Sequence, residues 1–106
     1  MPKAVLFGKY SQEAWAGVAS EGAVSREAQV RAMFEGLGAS LDAAYWMPVS
    51  NYDFMFLLDL PGPHVMASVK KLVGPTGSVV AQEFSVIMTA EEFDATTGGS
   101  YRAPGQ

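Results

Sequence analysis

The segment 52–60, which reads YDFMFLLDL, constrains the fold more than any other part of the chain. The side chains of a β-strand alternate between two faces, so Phe54 and Phe56 share one face while Met55 and Leu57 share the other. A strand with one face in water would carry polar residues at every second position. The segment therefore predicts a sheet that is covered on both faces.

The rest of the chain supplies the other elements of such a sheet. Further strands are predicted over residues 3–10, 39–47 and 78–88, and main helices from Ser25 to Leu37 and from Pro63 to Val73. A short helix after the N-cap Ser11 and another after the capping-box sequence 89–92 complete the pattern. The order β-α-β-β-α-β predicts an α+β, ferredoxin-like fold, with a four-stranded antiparallel sheet and two main helices on one face.

The first main helix carries its apolar residues on one stripe. They recur at positions i, i+3, i+4 and i+7, as Val30, Met33, Phe34 and Leu37. Arg26, in the first turn, is expected to lie off this stripe. Gly38 supplies the left-handed residue that commonly ends a helix. The stripe predicts which side of the helix packs on the sheet.

Two helices on one face leave the second face of the sheet uncovered within one chain. Because the middle of segment 52–60 is apolar on both sides, we expect a second copy of the sheet to cover that face, giving a sheet-paired homo-oligomer. The alternative is that the C-terminal tail folds back over it. We expect a single domain over residues 1–97, followed by an extended, Gly-rich tail over residues 98–106.

Composition narrows the classes of partner. Charged residues make up 17% of the chain and hydrophobic residues 49%, which favours burial of apolar surface against another copy. The net charge is −4 and the basic residues are scattered, so a nucleic-acid partner is not expected. The chain has no cysteine, which excludes disulfides and thiolate chemistry. No segment approaches the roughly 18 apolar residues of a membrane span, so we expect a cytoplasmic protein without a membrane partner.

Several short motifs occur together in one order along the chain. They are Gly8-Lys9-Tyr10-Ser11, Arg26-Glu27-Ala28, Tyr45-Trp46, Tyr52-Asp53 and Tyr101-Arg102-Ala103-Pro104-Gly105. In this the chain resembles the GYD-domain family of small bacterial proteins over essentially its whole length. The resemblance implies a ferredoxin-like fold of the dimeric α/β-barrel type and implies no particular function.

Two positions depart from the family pattern. Asn51 replaces the glycine of the Gly-Tyr-Asp signature, and asparagine is expected to tolerate the left-handed backbone that glycine would supply there. Gly62 stands where an acidic helix cap is expected.

The candidate catalytic residues are Asp53, Tyr52 and His64. A carboxyl group between Tyr52 and Phe54 could act as a general base, with Tyr52 and His64 orienting a substrate. An aspartate at the edge of a hairpin more commonly accepts hydrogen bonds from the turn amides. His64 has no second ligand at suitable spacing, so no metal site and no cofactor is predicted.

Aromatic residues at the strand ends are candidates for a ligand pocket. Tyr10, Tyr45 and Trp46 could line a site for a flat apolar molecule, and they suit a core edge or an interface equally well. Lys9 and Glu83, on the first and fourth strands that we expect to be central, could form an ion pair or line the same pocket.

Three functions fit these observations. The chain could be a module that binds a small apolar or aromatic molecule between helices and sheet. It could be a cofactor-independent oxygenase, isomerase or cyclase acting on an aromatic or polyketide-like substrate. The assembly itself could also be the function.

Overall fold

The computed structural model describes residues 2–106, within which there are four strands and four α-helices. The strands are β1 (Lys3–Tyr10), β2 (Ser40–Trp46), β3 (Phe54–Asp59) and β4 (Val79–Ile87); the helices are α1 (Gln12–Glu21), α2 (Ala23–Gly36), α3 (His64–Val73) and α4 (Ala90–Asp94). A 3-10 turn, Gly74–Thr76, joins α3 to β4. The strands form one antiparallel sheet in the order β2-β3-β1-β4, which confirms the predicted ferredoxin-like α+β fold.

The order of the strands corrects one expectation. Strand β1 lies between β3 and β4, with Lys3 opposite both Asp59 and Ile87. The central strands are therefore β1 and β3, and β4 lies at an edge of the sheet. The expectation that the fourth strand is central is wrong, because β4 pairs with β1 alone among the strands described.

The core lies on one face of the sheet. Leu6 and Leu58 project from the two central strands, and Phe34 of α2 and Val65 of α3 pack in the same cluster. Phe34, Leu58 and Val65 are fully buried. Both main helices thus cover the same face, as the order of elements predicts.

The predicted helix boundaries are largely confirmed. The hydroxyl group of Ser11 accepts a hydrogen bond from the Ala14 amide at 3.1 Å and caps α1. Thr89 and Glu92 form the predicted capping box of α4. Gly38 follows α2 with a φ of 80°, in the left-handed region. Capping side chains and a left-handed glycine close to each helix set these ends, so the sequence pattern predicts them directly.

The connection between β2 and β3 differs from the prediction. It spans residues 47–53, and β3 begins at Phe54 rather than Tyr52. Within residues 2–106, positive φ angles occur only at glycines, so Asn51 does not adopt the left-handed conformation expected of it. The longer loop reverses the direction of the chain without a left-handed residue at position 51. The turn therefore does not depend on the glycine that Asn51 replaces.

Gly8 allows an unusually close approach between β1 and an aromatic ring. Phe54 stands opposite Gly8 in the sheet, and its ring lies directly over the glycine. A Cβ atom at position 8 would lie 1.9 Å from Phe54 Cζ. The absence of a side chain at Gly8 therefore decides where the Phe54 ring packs.

The second face of the sheet is left open within one chain. Phe7, Met55 and Leu57 lie on this face and are only half-buried. Every residue from Val80 to the C-terminus is exposed, including the whole tail. The tail therefore does not fold back over the open face, which was the alternative to a second copy.

No helix in residues 2–106 is long and apolar enough to span a membrane.

Candidate functional site

A cavity of about 400 Å³ lies between the helices and the sheet. Leu6 and Phe56 form part of its floor, Val30 and Met33 of α2 line one wall, and Val69 of α3 lines the other. Within the described chain α2 and α3 do not pack closely on each other, which leaves this space between them. The volume falls in the range of about 300–1,000 Å³ that is usual for small-molecule sites.

Polar side chains surround the entrance of this cavity. They are Glu21 at the end of α1, Arg26 and Gln29 of α2, Thr76 after α3, and Gln82 of β4. All except Arg26 are exposed, so the cavity opens to solvent on this side. An apolar interior with a few convergent polar groups is the common arrangement of a site for a small organic molecule.

Tyr10 joins the cavity to the aromatic core. Its ring packs edge-on against Trp15 at 5.3 Å and tilts against Phe54 at 5.1 Å between ring centroids. Burial raises the pKa of the Tyr10 hydroxyl, and the nearby Trp46 indole and Arg26 guanidinium oppose this rise without cancelling it. Tyr10 therefore lines the cavity as a neutral hydrogen-bonding group.

The indole N–H of Trp46 is buried near this hydroxyl. It makes no hydrogen bond of acceptable geometry with any residue that the structure describes. The Trp46 indole therefore acts on the pKa of Tyr10 through its proximity rather than through a well-aligned hydrogen bond.

Among residues 2–106, Arg26 is the one cationic residue that lines the cavity. Its Nη1 lies 3.3 Å from Glu21 Oε1, and both side chains are more than one-third exposed. Its Nε is buried and has no hydrogen-bond partner among residues 2–106. Because this atom is buried, a molecule in the cavity would meet the exposed end of the Arg26 guanidinium rather than Nε.

Two of the five residues predicted to bind a ligand lie on the cavity side of the sheet. Tyr10 lines the cavity. Trp46 shares its face of the sheet and packs edge-on against Phe56 at 5.9 Å, outside the lining itself.

The other three lie on the open face. Tyr45 stands opposite Met55, and Glu83 opposite Phe7, both of which belong to that face. Lys9 follows Phe7 by two residues and therefore points the same way. Among the described residues no ion pair joins Lys9 to Glu83, and the sheet separates both from the cavity.

The three candidate catalytic residues are not brought together within one chain. Asp53 Oδ2 accepts the backbone N–H of Tyr10 at 2.8 Å, and the Tyr52 ring packs on Phe7 at 5.8 Å. His64 is exposed at the start of α3. Asp53 precedes β3 and His64 follows it, and this strand of six residues is about 20 Å long at 3.3 Å per residue.

The carboxylate of Asp53 fixes the end of β1, since it binds the amide of Tyr10 rather than a hairpin amide. In residues 2–106 no three His, Asp or Glu side chains are arranged to hold a metal ion.

Sequence reasoning missed Arg26 and Gln29 as residues of the site. We expected Arg26 to lie off the apolar stripe of α2, and this is wrong, because it lines the cavity. The signal was present: Arg26 precedes Val30 by four residues, and Gln29 precedes Met33 by four, so both continue the stripe toward the N-terminus.

The sheet, its helices and the cavity between them place the chain among small α+β proteins of ferredoxin-like fold. The family model of the GYD domain matches residues 5–97 of the 106-residue chain. The chain therefore belongs to the GYD-domain family, which confirms the resemblance seen in the sequence. Comparison with curated proteins and with solved structures found no match.

Proposed function

We propose that the protein binds a small, largely apolar or aromatic molecule in the cavity between its helices and its sheet. The observation that carries this proposal is the cavity itself, which combines an apolar lining with a rim of polar groups. Burial of the ligand against Leu6, Phe56 and the stripe of α2 would supply the binding free energy, at about 25 cal/mol per Å² of apolar surface.

The test uses N-phenyl-1-naphthylamine, a neutral probe whose fluorescence rises in apolar surroundings. We expect saturable binding to the wild-type chain. Val30→Phe fills the cavity wall and should abolish binding. Val24→Phe is the matched control, because Val24 lies on the same helix, is 86% exposed and does not line the cavity. Equal binding to all three proteins, or to none, would contradict the proposal.

We also propose that the protein is a homo-oligomer paired through the open face of its sheet. Phe7, Met55 and Leu57 form an apolar patch there, and the exposed tail does not cover it. Native mass spectrometry should give a multiple of 11.3 kDa. Leu57→Asp should produce the monomer, whereas Val49→Asp, in an exposed loop, should leave the assembly intact. A wild-type monomer would overturn this proposal.

The cofactor-independent enzyme stays a prediction. If Asp53 is a general base, Asp53→Asn should abolish turnover of an aromatic substrate and leave folding intact. If Asp53 only holds the Tyr10 amide, the same variant should lower the melting temperature instead.

A further inference from the structure

The cavity has one chemically distinctive end, formed by Arg26. The guanidinium group offers five N–H donors in a planar fork. Glu21 Oε1 contacts Nη1 at 3.3 Å. The Nε atom is buried, so the partly exposed end of the group, which carries Nη1 and Nη2, is the planar fork that a ligand can reach. A planar acceptor with two oxygens is the group that satisfies such a fork.

The Glu21 carboxylate does not already fill this role. It is exposed, and exposed ion pairs of this kind contribute about 0–1 kcal/mol. Glu21 Oε2 also accepts a hydrogen bond from the Ser25 hydroxyl at 3.3 Å, so this carboxylate is shared between two donors. A carboxylate in the cavity can therefore compete with Glu21 for the exposed end of the Arg26 guanidinium.

The neighbours of Arg26 suit the remainder of such a ligand. Gln29 lies one turn further along α2 and adds a neutral polar group to the rim, while the lining beyond it is apolar from Val30 to Phe56. A ligand that lies along the cavity thus meets a cationic fork at one end and hydrocarbon over the rest of its length.

Resting on the proposed function, we infer that the ligand is an aromatic or cyclic carboxylic acid, whose carboxylate binds the exposed end of the Arg26 guanidinium while its ring lies in the apolar cavity. Arg26 sets the specificity of the site, and the apolar lining provides most of the affinity.

The test compares 2-naphthoate with its neutral methyl ester by isothermal titration calorimetry. The wild-type chain should bind the acid more tightly than the ester. Arg26→Gln should weaken binding of the acid by about 10- to 100-fold, which corresponds to one charged hydrogen-bond pair. The same variant should weaken binding of the ester much less than binding of the acid, because the ester carries no charge. Arg102→Gln removes the same charge from the exposed tail and is the matched control.

Arg26→Lys keeps the charge and removes the fork, so it should bind the acid with intermediate affinity. If Arg26→Gln does not fold, the affinity of Arg26→Lys for the acid tests the inference instead. Equal affinity of the wild type for acid and ester would overturn the inference, as would an equal loss in Arg102→Gln. Both results would leave the cavity proposal standing if N-phenyl-1-naphthylamine still binds and Val30→Phe still abolishes that binding. Loss of all probe binding would overturn both proposals together.

Discussion

The first three-quarters of the chain and its last quarter contrast sharply. Every core residue lies between Ala4 and Val69, whereas every residue from Val80 onward is exposed. The last quarter is nevertheless apolar: Phe84 and Val86 lie on β4, Phe93 on α4 is 66% exposed and Tyr101 in the tail is 84% exposed. Proteins that associate commonly carry exposed apolar segments of this kind.

The contrast extends to the two edges of the sheet. Strand β2 packs against α2, while the main contacts of β4 are with β1. Since Phe84 stands opposite Leu6, it lies on the same face as the core, yet it is 39% exposed. One chain therefore covers the β2 edge of the sheet with a helix and leaves most of β4 exposed.

The largest expected effect comes from replacing a phenylalanine by alanine in the first three-quarters of the chain, compared with the same substitution in the last quarter. Phe34→Ala should lower the free energy of unfolding by about 3–5 kcal/mol, because Phe34 is fully buried in the core. Phe93→Ala should change it by less than about 0.5 kcal/mol if the last quarter has no partner. Urea denaturation measures both.

The contrast between the two regions would be contradicted if Phe93→Ala lowered the free energy of unfolding by more than about 1 kcal/mol and the loss grew with protein concentration. Such a result would show that the last quarter is buried against another copy in solution.

The next effect sharpens the description of the core. Gly8→Ala should destabilise the protein by about 1–3 kcal/mol or more, because the new Cβ would collide with the Phe54 ring. Gly36→Ala, with no atom within 4 Å of its new Cβ, is the control and should stabilise α2 by up to about 1 kcal/mol. Thermal unfolding followed by circular dichroism compares them. Equal behaviour of the two variants would contradict the close packing on Gly8.

A smaller effect appears at alkaline pH and again belongs to the core. Burial raises the pKa of Tyr10 above its usual value near 10. The unfolded chain therefore loses this proton at lower pH than the folded chain. The contribution of neutral Tyr10 to the free energy of unfolding is complete below pH 10 and declines as the pH rises through the pKa of the folded state. Denaturation from pH 8 upward should show this decline in the wild type and a shallower one in Tyr10→Phe. The same slope in both proteins would exclude Tyr10 as its source.

The smallest effect tests the independence of the last quarter. Thr89→Ala removes the capping box of α4, which is worth about 0.5–2 kcal/mol to a helix. Because α4 scarcely contacts the core, global unfolding should not change, while hydrogen exchange in α4 should become faster. A matching loss of global stability would mean that α4 folds as one unit with the core.

Most of the fold could be predicted from patterns among residues that are close together in the sequence. The alternation in β3, the stripe of α2, the Ser11 and Thr89 caps and the order of elements all rest on residues close together in the chain, so the structure confirms them. The central position expected of β4 was wrong, because strand order depends on which distant segments pair.

The site was harder to predict for the same reason. Tyr10 was found from its aromatic ring, but Tyr45, Lys9 and Glu83 lie on the other face of the sheet. Arg26 was missed because a charged residue at a helix start is usually solvated, and its place beside the cavity depends on how far α3 stands from α2.

The order of short motifs along the sequence identified the family. By itself the sequence also determined the α+β class, the antiparallel sheet and the apolar character of both its faces. These follow from periodicity and local chemistry, which the order of residues contains directly. Only the tertiary structure decided that a cavity separates α2 from α3, that Arg26 stands at its entrance, and that the residues from Val80 onward are exposed. Such features depend on distances between elements far apart in the chain, and no local pattern encodes those distances.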